Sequence, residues 1–287
     1  MVHFYNIIYK EEIKELNKNL KRGWVYIVSY SVLYSDIPVR AWGIMVALGV
    51  MAGLWLAIRL AKKENIDPER VVDFTIYAFF GGILGARLWE VIFGWEKFSS
   101  HPLDALKFWD GGLSIQGGVL AGLIICIWFV RKHKLPSWKF ADILAPGLIL
   151  GQGIGRIGCL LNGDAYGIPT SLPIGVIYKE GTPAYSAYGA QPLFPAEIIE
   201  GVVDIGILFI LLRLIRGKPF DGSVALTYFL LYSLNRFIIE FWRADSLIVL
   251  GGLKAAQMTT LGTTLFALGL LTYKWYKTNK RNLISFD

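Results

Sequence analysis

Three arginines lie within or at the end of long apolar stretches of this sequence, and their chemistry suggests a site for an anion. Arg156 follows the apolar run 143–150, and Arg236 and Arg243 lie in the apolar stretch 223–243. A charged side chain at the centre of a bilayer costs about 2.5–3.5 kcal/mol on insertion scales, so it usually has a partner or a function. Arginine suits phosphate in particular, because its guanidinium is planar, permanently charged and rich in N–H donors.

Helical spacing places Arg156 beside a face of small residues. Four residues fall at i, i+4, i+7 and i+11 of a helix and leave one side of it smooth: Gly151, Gly155, Gly158 and Asn162. The structural interpretation is a close helix crossing, with an arginine that reaches the surface. The functional interpretation is a groove in which a lipid or a neighbouring helix approaches a cation, and we favour it.

Two further apolar segments carry charged stripes. Glu197, Glu200 and Asp204 are spaced i, i+3 and i+7 in one segment. In the other, four side chains follow at i, i+4, i+8 and i+11: Tyr232, Arg236, Glu240 and Arg243. Charged stripes on apolar helices predict a polar cavity inside the bundle, where some of the charges neutralise one another.

A glycine-rich turn precedes another apolar segment. Residues 109–118 read WDGGLSIQGG, and Ser114 and Gln116 lie among the glycines. Irregular backbone at membrane depth is tolerated where it lines a cavity or is buried, and its free N–H groups can bind an anionic head group. Just before this turn, Arg87 and Glu90 are spaced to form a stabilising ion pair on one helix.

The elements that must position these residues are transmembrane helices. A mean hydropathy of +0.48 and 54% hydrophobic residues describe an all-α, multi-pass membrane protein. Seven spans are predicted, at 38–61, 71–95, 112–131, 141–162, 195–216, 223–243 and 256–276. Residues 1–37 are predicted as an amphipathic interfacial segment, which leaves 38–287 as the transmembrane domain. The loop 163–194 is long enough for a small external cap.

Basic residues set the predicted orientation. Clusters of lysine and arginine follow the first, third, fifth and seventh spans, whereas the alternate loops carry few cations. This distribution predicts an amino terminus and a 163–194 loop outside and a carboxyl terminus in the cytoplasm. It also explains the net charge of +7 without a nucleic-acid surface. The two cysteines and three histidines are scattered, so we expect no disulfide, metal or cofactor.

The sequence resembles the bacterial prolipoprotein diacylglyceryl transferases. The most specific match is Gly155-Arg156-Ile157-Gly158 followed by the run 162–167, NGDAYG; WDGGLS at 109–114, GARL at 85–88 and RFIIEFWR at 236–243 follow the family's order. The resemblance implies an inner-membrane enzyme that moves the diacylglyceryl group of phosphatidylglycerol to the lipobox cysteine of a preprolipoprotein signal peptide, releasing glycerol 1-phosphate. It marks Arg156 and Arg236 as the essential arginines. The supporting positions are Asn162, Gly167, Tyr232 and Glu240, to which we add Ser114, Gln116 and Arg243 as substrate-binding candidates.

Several positions depart from the family pattern. Gln116 stands where a histidine is usual, and Trp42, Cys159 and Phe194 replace a tyrosine, an asparagine and a histidine. Glutamine cannot take up a proton at neutral pH, so a histidine base is ruled out at position 116. Three alternatives therefore stay open: a paralogue that uses the same lipid with another acceptor, a transporter, and a lipid-binding protein. The absence of evident internal repeats weighs against the transporter.

Overall fold

The protein is mostly helical. The structure, a computed structural model, describes residues 25–27, 31–34, 37–107, 111–246, 248–250 and 252–284. Its helices are α1 (Ala41–Lys63), α2 (Pro68–Phe93), α3 (Ile115–Lys132), α4 (Ser137–Asn162), α5 (Pro183–Tyr188), α6 (Ala196–Leu214), α7 (Ser223–Ile239) and α8 (Ala255–Ile284). Its strands are β1 (Val25–Ile27), β2 (Ser31–Tyr34), β3 (Ile37–Arg40), β4 (Val176–Tyr178), β5 (Ile248–Leu250) and β6 (Leu253–Lys254).

The long helices coincide with the predicted apolar segments. Four of them are long and apolar enough to cross a membrane, over Trp42–Lys63, Pro68–Phe93, Ile115–Lys132 and Ser137–Asn162, and Ser223–Ile239 is a shorter apolar helix. Helix α6 is also apolar overall, but its first turns carry the stripe of acidic residues. The prediction of a helical membrane protein is confirmed.

The chain divides into two compact units. One comprises Leu54–Leu144; the other combines Met1–Gly53 with Ala145–Asp287. In the first, α2 packs against α3 through small residues: a Cβ on Gly85 would lie 2.8 Å from the carbonyl oxygen of Gly117. The ring of Phe129 packs edge-on against Phe74, and Phe140 completes this buried aromatic cluster.

In the second unit, glycines bring α1 close to α4. A Cβ on Gly49 would lie 2.9 Å from the carbonyl oxygen of Gly151, and a Cβ on Gly158 would lie 3.1 Å from the Cβ of Met45. Much of the predicted small-residue face is thus a helix-packing face, as the structural interpretation held. Gly155 is the exception, since the space at its Cβ position is open.

Short strands, which the sequence interpretation did not include, flank the helices. Strand β1 pairs in parallel with β4, and β2 with β3 and β5 with β6 are antiparallel. The amphipathic helix expected around residues 10–22 lies outside the described residues. The segment 163–194 forms a small folded unit around buried Val176, Tyr178, Ala184 and Leu193.

Arg87 has a different role from the one predicted. Its guanidinium donates hydrogen bonds to four backbone carbonyls, those of Asp104 (2.6 Å), Ala105 (2.9 Å), Gly111 (2.7 Å) and Gly112 (3.0 Å). Glu90 instead pairs with Lys97 at 2.8 Å. The predicted Arg87–Glu90 pair is therefore wrong, because unpaired loop carbonyls compete successfully for the same donors. Arg87 fastens both ends of the segment that joins α2 to α3.

Candidate active site

Arg156 of α4 is paired with a carboxylate of α6. Its Nη2 atom lies 2.5 Å from Oε1 of Glu200, and the Glu200 side chain is fully buried. The two helices can approach because α6 has Gly201 at the crossing, where a Cβ would lie 3.1 Å from the Cβ of Arg156. A buried carboxylate needs such a partner, since the desolvation of one ion costs several kcal/mol.

The arginines of the α7 stripe converge on the same carboxylate. Oε2 of Glu200 lies 3.9 Å from Nη1 of Arg236 and 3.8 Å from Nη1 of Arg243. Each of these arginines has a closer partner: Arg236 lies 2.7 Å from Oε2 of Glu240, and Arg243 makes a two-pronged pair with Asp245 at 2.9 and 2.6 Å. The predicted polar interior is thus a cluster of three arginines around one central carboxylate.

Hydrogen bonding in this arginine cluster is incomplete. Glu200 Oε2, both carboxylate oxygens of Glu240 and Nη1 of Arg236 are buried and make no hydrogen bond of good geometry. The arginine side chains nevertheless retain access, with 17%, 16% and 10% of the surface of Arg156, Arg236 and Arg243 exposed. Buried polar groups are normally satisfied, so unused donors beside accessible arginines indicate a binding site rather than a finished structural network.

Aromatic and amide side chains line the cluster on one side. The ring of Tyr232 stacks on Tyr228 with centroids 5.8 Å apart, and the Tyr228 hydroxyl donates to Oε1 of Gln152 at 3.1 Å. One turn beyond Glu200, the buried Asp204 accepts a long bond of 3.4 Å from Asn235. Tyr232 interacts electrostatically with Arg156 and Arg236, so the structure brings this predicted residue to the cluster.

The signature loop after α4 attaches to the end of α7. Gly167 forms an antiparallel bridge with Arg243, and the next amide, that of Ile168, donates to the carbonyl of Trp242 at 2.9 Å. A Cβ on Gly167 would meet the carbonyl oxygens of Phe194 and Trp242. Only glycine therefore lets this loop lie beside the arginine-bearing turn.

Asn162 has a local role in the same loop. Its amide donates to Oδ2 of Asp164 at 2.5 Å. The following Ala165 is buried and has a φ of +61°, which is uncommon for a residue with a side chain. Such a backbone conformation persists only where the surrounding contacts impose it, and it is frequent at functional sites.

The segment 163–194 is anchored to α6 by a buried pair. The Tyr178 hydroxyl donates to Oε1 of Glu197, and both side chains are almost fully inaccessible. Burial, reinforced by the adjacent carboxylate, raises the pKa of the Tyr178 phenol above its usual range. This pair accounts for Glu197, the first member of the predicted acidic stripe.

Ser114 and Gln116 belong to the other unit of the chain. The Ser114 hydroxyl donates to Oε1 of Gln116 at 2.7 Å, and the Ser114 amide donates to the carbonyl of Ala86 at 3.1 Å. Both side chains stand at the start of α3, next to the loop that Arg87 fastens. Among the described residues, no group of three or more His, Cys, Asp or Glu side chains could hold a metal ion, and both cysteines are free.

Three residues of the cluster were not assigned a role from the sequence. Glu200 was visible as part of the acidic stripe, but the stripe does not show that this member is the central one. Asp245 and Lys254 follow the end of α7 and carry no pattern of their own. Lys254 donates to the backbone carbonyls of Glu240 (2.6 Å) and Arg243 (2.5 Å), so it caps the turn that presents Arg243.

Fold and site together define a helical membrane protein with an arginine cluster suited to an anionic group. The chain matches the family model described as prolipoprotein diacylglyceryl transferase over residues 29–273. It therefore belongs to the prolipoprotein diacylglyceryl transferase family.

Relatives across distant bacteria carry the same name, phosphatidylglycerol–prolipoprotein diacylglyceryl transferase. The chain is 37% identical to that of Thermosynechococcus vestitus over 227 residues, which cover 78% of this chain and 84% of the relative. It is 35% identical to that of Bacillus licheniformis over 252 residues, covering 84% and 90%. It is 33% identical to that of Ligilactobacillus salivarius over 251 residues, covering 83% and 90%.

Proposed function

We propose that this protein transfers the diacylglyceryl group of phosphatidylglycerol to the lipobox cysteine thiol of preprolipoproteins and releases glycerol 1-phosphate. The observation that carries the proposal is the cluster of Arg156, Arg236 and Arg243 around Glu200, which combines accessible guanidinium groups with unused hydrogen-bond donors. The names of the relatives supply the two substrates.

The reaction explains why arginines are needed. The thiolate sulfur forms a bond to the glycerol carbon that bears the phosphate, and the bond from that carbon to the phosphate oxygen breaks. Negative charge grows on the departing phosphate in the transition state, so fixed cations beside it lower the barrier. The proton lost by the thiol leaves to solvent or to the phosphate. Nearby guanidinium groups also favour the thiolate, which is the reactive form of the nucleophile.

Specific roles follow for the candidate residues. Arg156 and Arg236 act on the phosphate, and the two roles of holding it and neutralising its departing charge are exchangeable between them. Tyr232, Glu240 and Arg243 complete the binding site. Asn162 and Gly167 shape the loop beside it, and Ser114 and Gln116 contact the head group. Gln116 serves only as a neutral hydrogen-bonding group.

The membrane arrangement is part of the same proposal. Helices α1, α2, α3, α4, α6, α7 and α8 are seven spans in the bacterial inner membrane, with the amino terminus outside and the carboxyl terminus in the cytoplasm. The segment 163–194 is then an external cap, and residues 1–37 lie along the outer surface. A reporter after Asp287 should be cytoplasmic and one inserted near Ser186 external; the reverse would overturn the orientation.

The decisive test of the activity is a reconstituted assay. Purified protein in phosphatidylglycerol vesicles is given a lipobox peptide, and the peptide mass is followed by mass spectrometry. The proposal expects a mass gain of one diacylglyceryl group and release of glycerol 1-phosphate. A peptide with serine in place of the lipobox cysteine, and vesicles of phosphatidylethanolamine, are the controls.

A second candidate uses the same lipid with a different acceptor. Gln116, which stands where the family usually has a histidine, is the observation that favours it. Release of glycerol 1-phosphate from phosphatidylglycerol with a membrane extract, but none with lipobox peptides, would support this candidate over the first.

A further inference from the structure

We propose that Glu200 is a positioning residue that competes with the lipid phosphate for the arginine cluster. Its carboxylate keeps the three guanidinium groups gathered around one point, and the incoming phosphodiester displaces it from Arg236 and Arg243. Arg156 stays bound to Glu200 throughout. This inference rests on the proposed function, which it deepens by assigning the phosphate to two of the three arginines.

The contacts of Glu200 are unequal, and this inequality is the basis of the assignment. Oε1 receives a charged hydrogen bond of 2.5 Å from Arg156. Oε2 lies 3.9 and 3.8 Å from Arg236 and Arg243 and accepts no hydrogen bond. Arg236 and Arg243 can therefore turn towards a phosphate without breaking a hydrogen bond to Glu200, whereas Arg156 cannot.

The second partners of these arginines support the same division. Arg236 lies 2.7 Å from Glu240, but its Nη1 donor is buried without a hydrogen bond of good geometry. Arg243 uses Nε and Nη2 for Asp245, so its Nη1 is the atom that faces Glu200. Each arginine thus offers a donor near Glu200 Oε2, and a phosphate oxygen can use both.

Charge bookkeeping gives the inference a distinctive consequence. Three arginines face the carboxylates of Glu200, Glu240 and Asp245, so the cluster is neutral overall, 3 − 3 = 0. Replacing Glu200 by glutamine keeps the size of the side chain and one acceptor but leaves the cluster with a charge of +1. An anion that competes with Glu200 should then bind more tightly, by the same coupling that links any two competing ligands.

A purely structural ion pair makes the opposite prediction. If Glu200 only braced α6 against α4 and α7, its loss would disorder the arginines and weaken the binding of anions. Product release provides a second distinction. Glycerol 1-phosphate carries more negative charge than the lipid phosphodiester, so a more positive cluster should retain it longer and lower kcat.

The experiment compares Glu200→Gln with the wild-type protein in phosphatidylglycerol vesicles. KM for phosphatidylglycerol should fall about fivefold or more, the inhibition constant of glycerol 1-phosphate should fall further, and kcat should decrease. Glu197→Gln is the matched control, because it is an equally buried carboxylate one turn away on the same helix. Its KM and inhibition constant should stay within twofold of the wild type.

A conservative variant keeps the inference testable if Glu200→Gln does not insert. Glu200→Asp keeps the charge but withdraws it from Arg236 and Arg243, so its inhibition constant should lie between those of the wild type and a charge-free side chain. An unchanged or higher constant in a correctly folded Glu200 variant overturns the inference. If the wild-type protein transfers nothing, the proposed function fails instead, and direct calorimetric binding of glycerol 1-phosphate to the same proteins still tests the role of Glu200.

Discussion

Replacing Arg87 by alanine is expected to loosen residues 104–114 while the flanking helices stay packed. The side chain donates to four carbonyls on both sides of the loop, and no other side chain among the described residues makes as many hydrogen bonds to backbone. Helices α2 and α3 contact each other directly through Gly85 and Gly117, so their packing does not depend on Arg87. The effect should therefore be local.

The size of the effect follows from the number and kind of bonds. A hydrogen bond to a charged group contributes about 1.5–3 kcal/mol. Carbonyls in a partly exposed loop regain water when the arginine is lost, so the four contributions do not add. We expect a loss of about 3 kcal/mol in the local opening free energy, which is about a hundredfold in hydrogen-exchange protection. Arg87→Lys should fall between, since a point charge cannot reach both ends of the loop.

Hydrogen exchange read by mass spectrometry measures this directly. The amides of Lys107 and Ser114, which bond to the carbonyls of Asp104 and Ala86, should exchange faster in Arg87→Ala. Arg70→Ala is the control on the same helix, because its pairs with Asp67 and Asp73 are long and exposed at 3.8 and 3.6 Å. Protection in Arg87→Ala within threefold of the wild type would refute the reasoning.

Three further substitutions test other parts of the structure. Gly167→Ala should destabilise the protein by about 1–3 kcal/mol in thermal unfolding, because its Cβ position is blocked by carbonyl oxygens, whereas at Gly206 that space is open and alanine should be tolerated; equal melting temperatures would contradict this. Tyr178→Phe should cost about 1–3 kcal/mol by leaving a Glu197 oxygen buried without a donor. Because the pKa of Tyr178 is raised, the folded wild type gains stability below the ordinary phenol pKa of about 10 and loses it as the pH rises, so Tyr178→Phe should lose less in alkaline melts and parallel curves would count against the assignment. Gln116→Ala should keep most of its activity, with a loss of about 0.5–1.5 kcal/mol, and Gln116→His should be tolerated; a correctly inserted but inactive Gln116→Ala would show that the site works differently.

Periodicity made the helices and the charged stripes predictable. Apolar runs of bilayer length locate the long helices within a few residues, and helical spacing identifies which charges share a face. The convergence of Glu200, Arg236 and Arg243 follows from that geometry once two stripes must face inward. Local spacing also identified the small residues along α4, although most of them serve packing against α1.

Contacts made across the chain were beyond prediction. Strand β1 pairs with β4, about 150 residues further on, and no local pattern specifies that partner. Arg87 chose backbone carbonyls over the neighbouring Glu90, which depends on the path of a loop rather than on helical spacing. Lys254 likewise caps α7 only because the β5–β6 hairpin turns back onto it.

The central claim is that arginines stabilise the charge of the departing phosphate, and initial rates against phosphatidylglycerol concentration test it most directly. Arg156→Ala and Arg236→Ala should each lose about 2.7–4 kcal/mol of transition-state stabilisation, or some hundredfold to a thousandfold in rate, and the lysine variants should fall between. Arg213→Ala, an exposed arginine at the end of α6, should react at the wild-type rate. Turnover close to that of the wild type by a correctly inserted Arg156→Ala or Arg236→Ala would contradict the account.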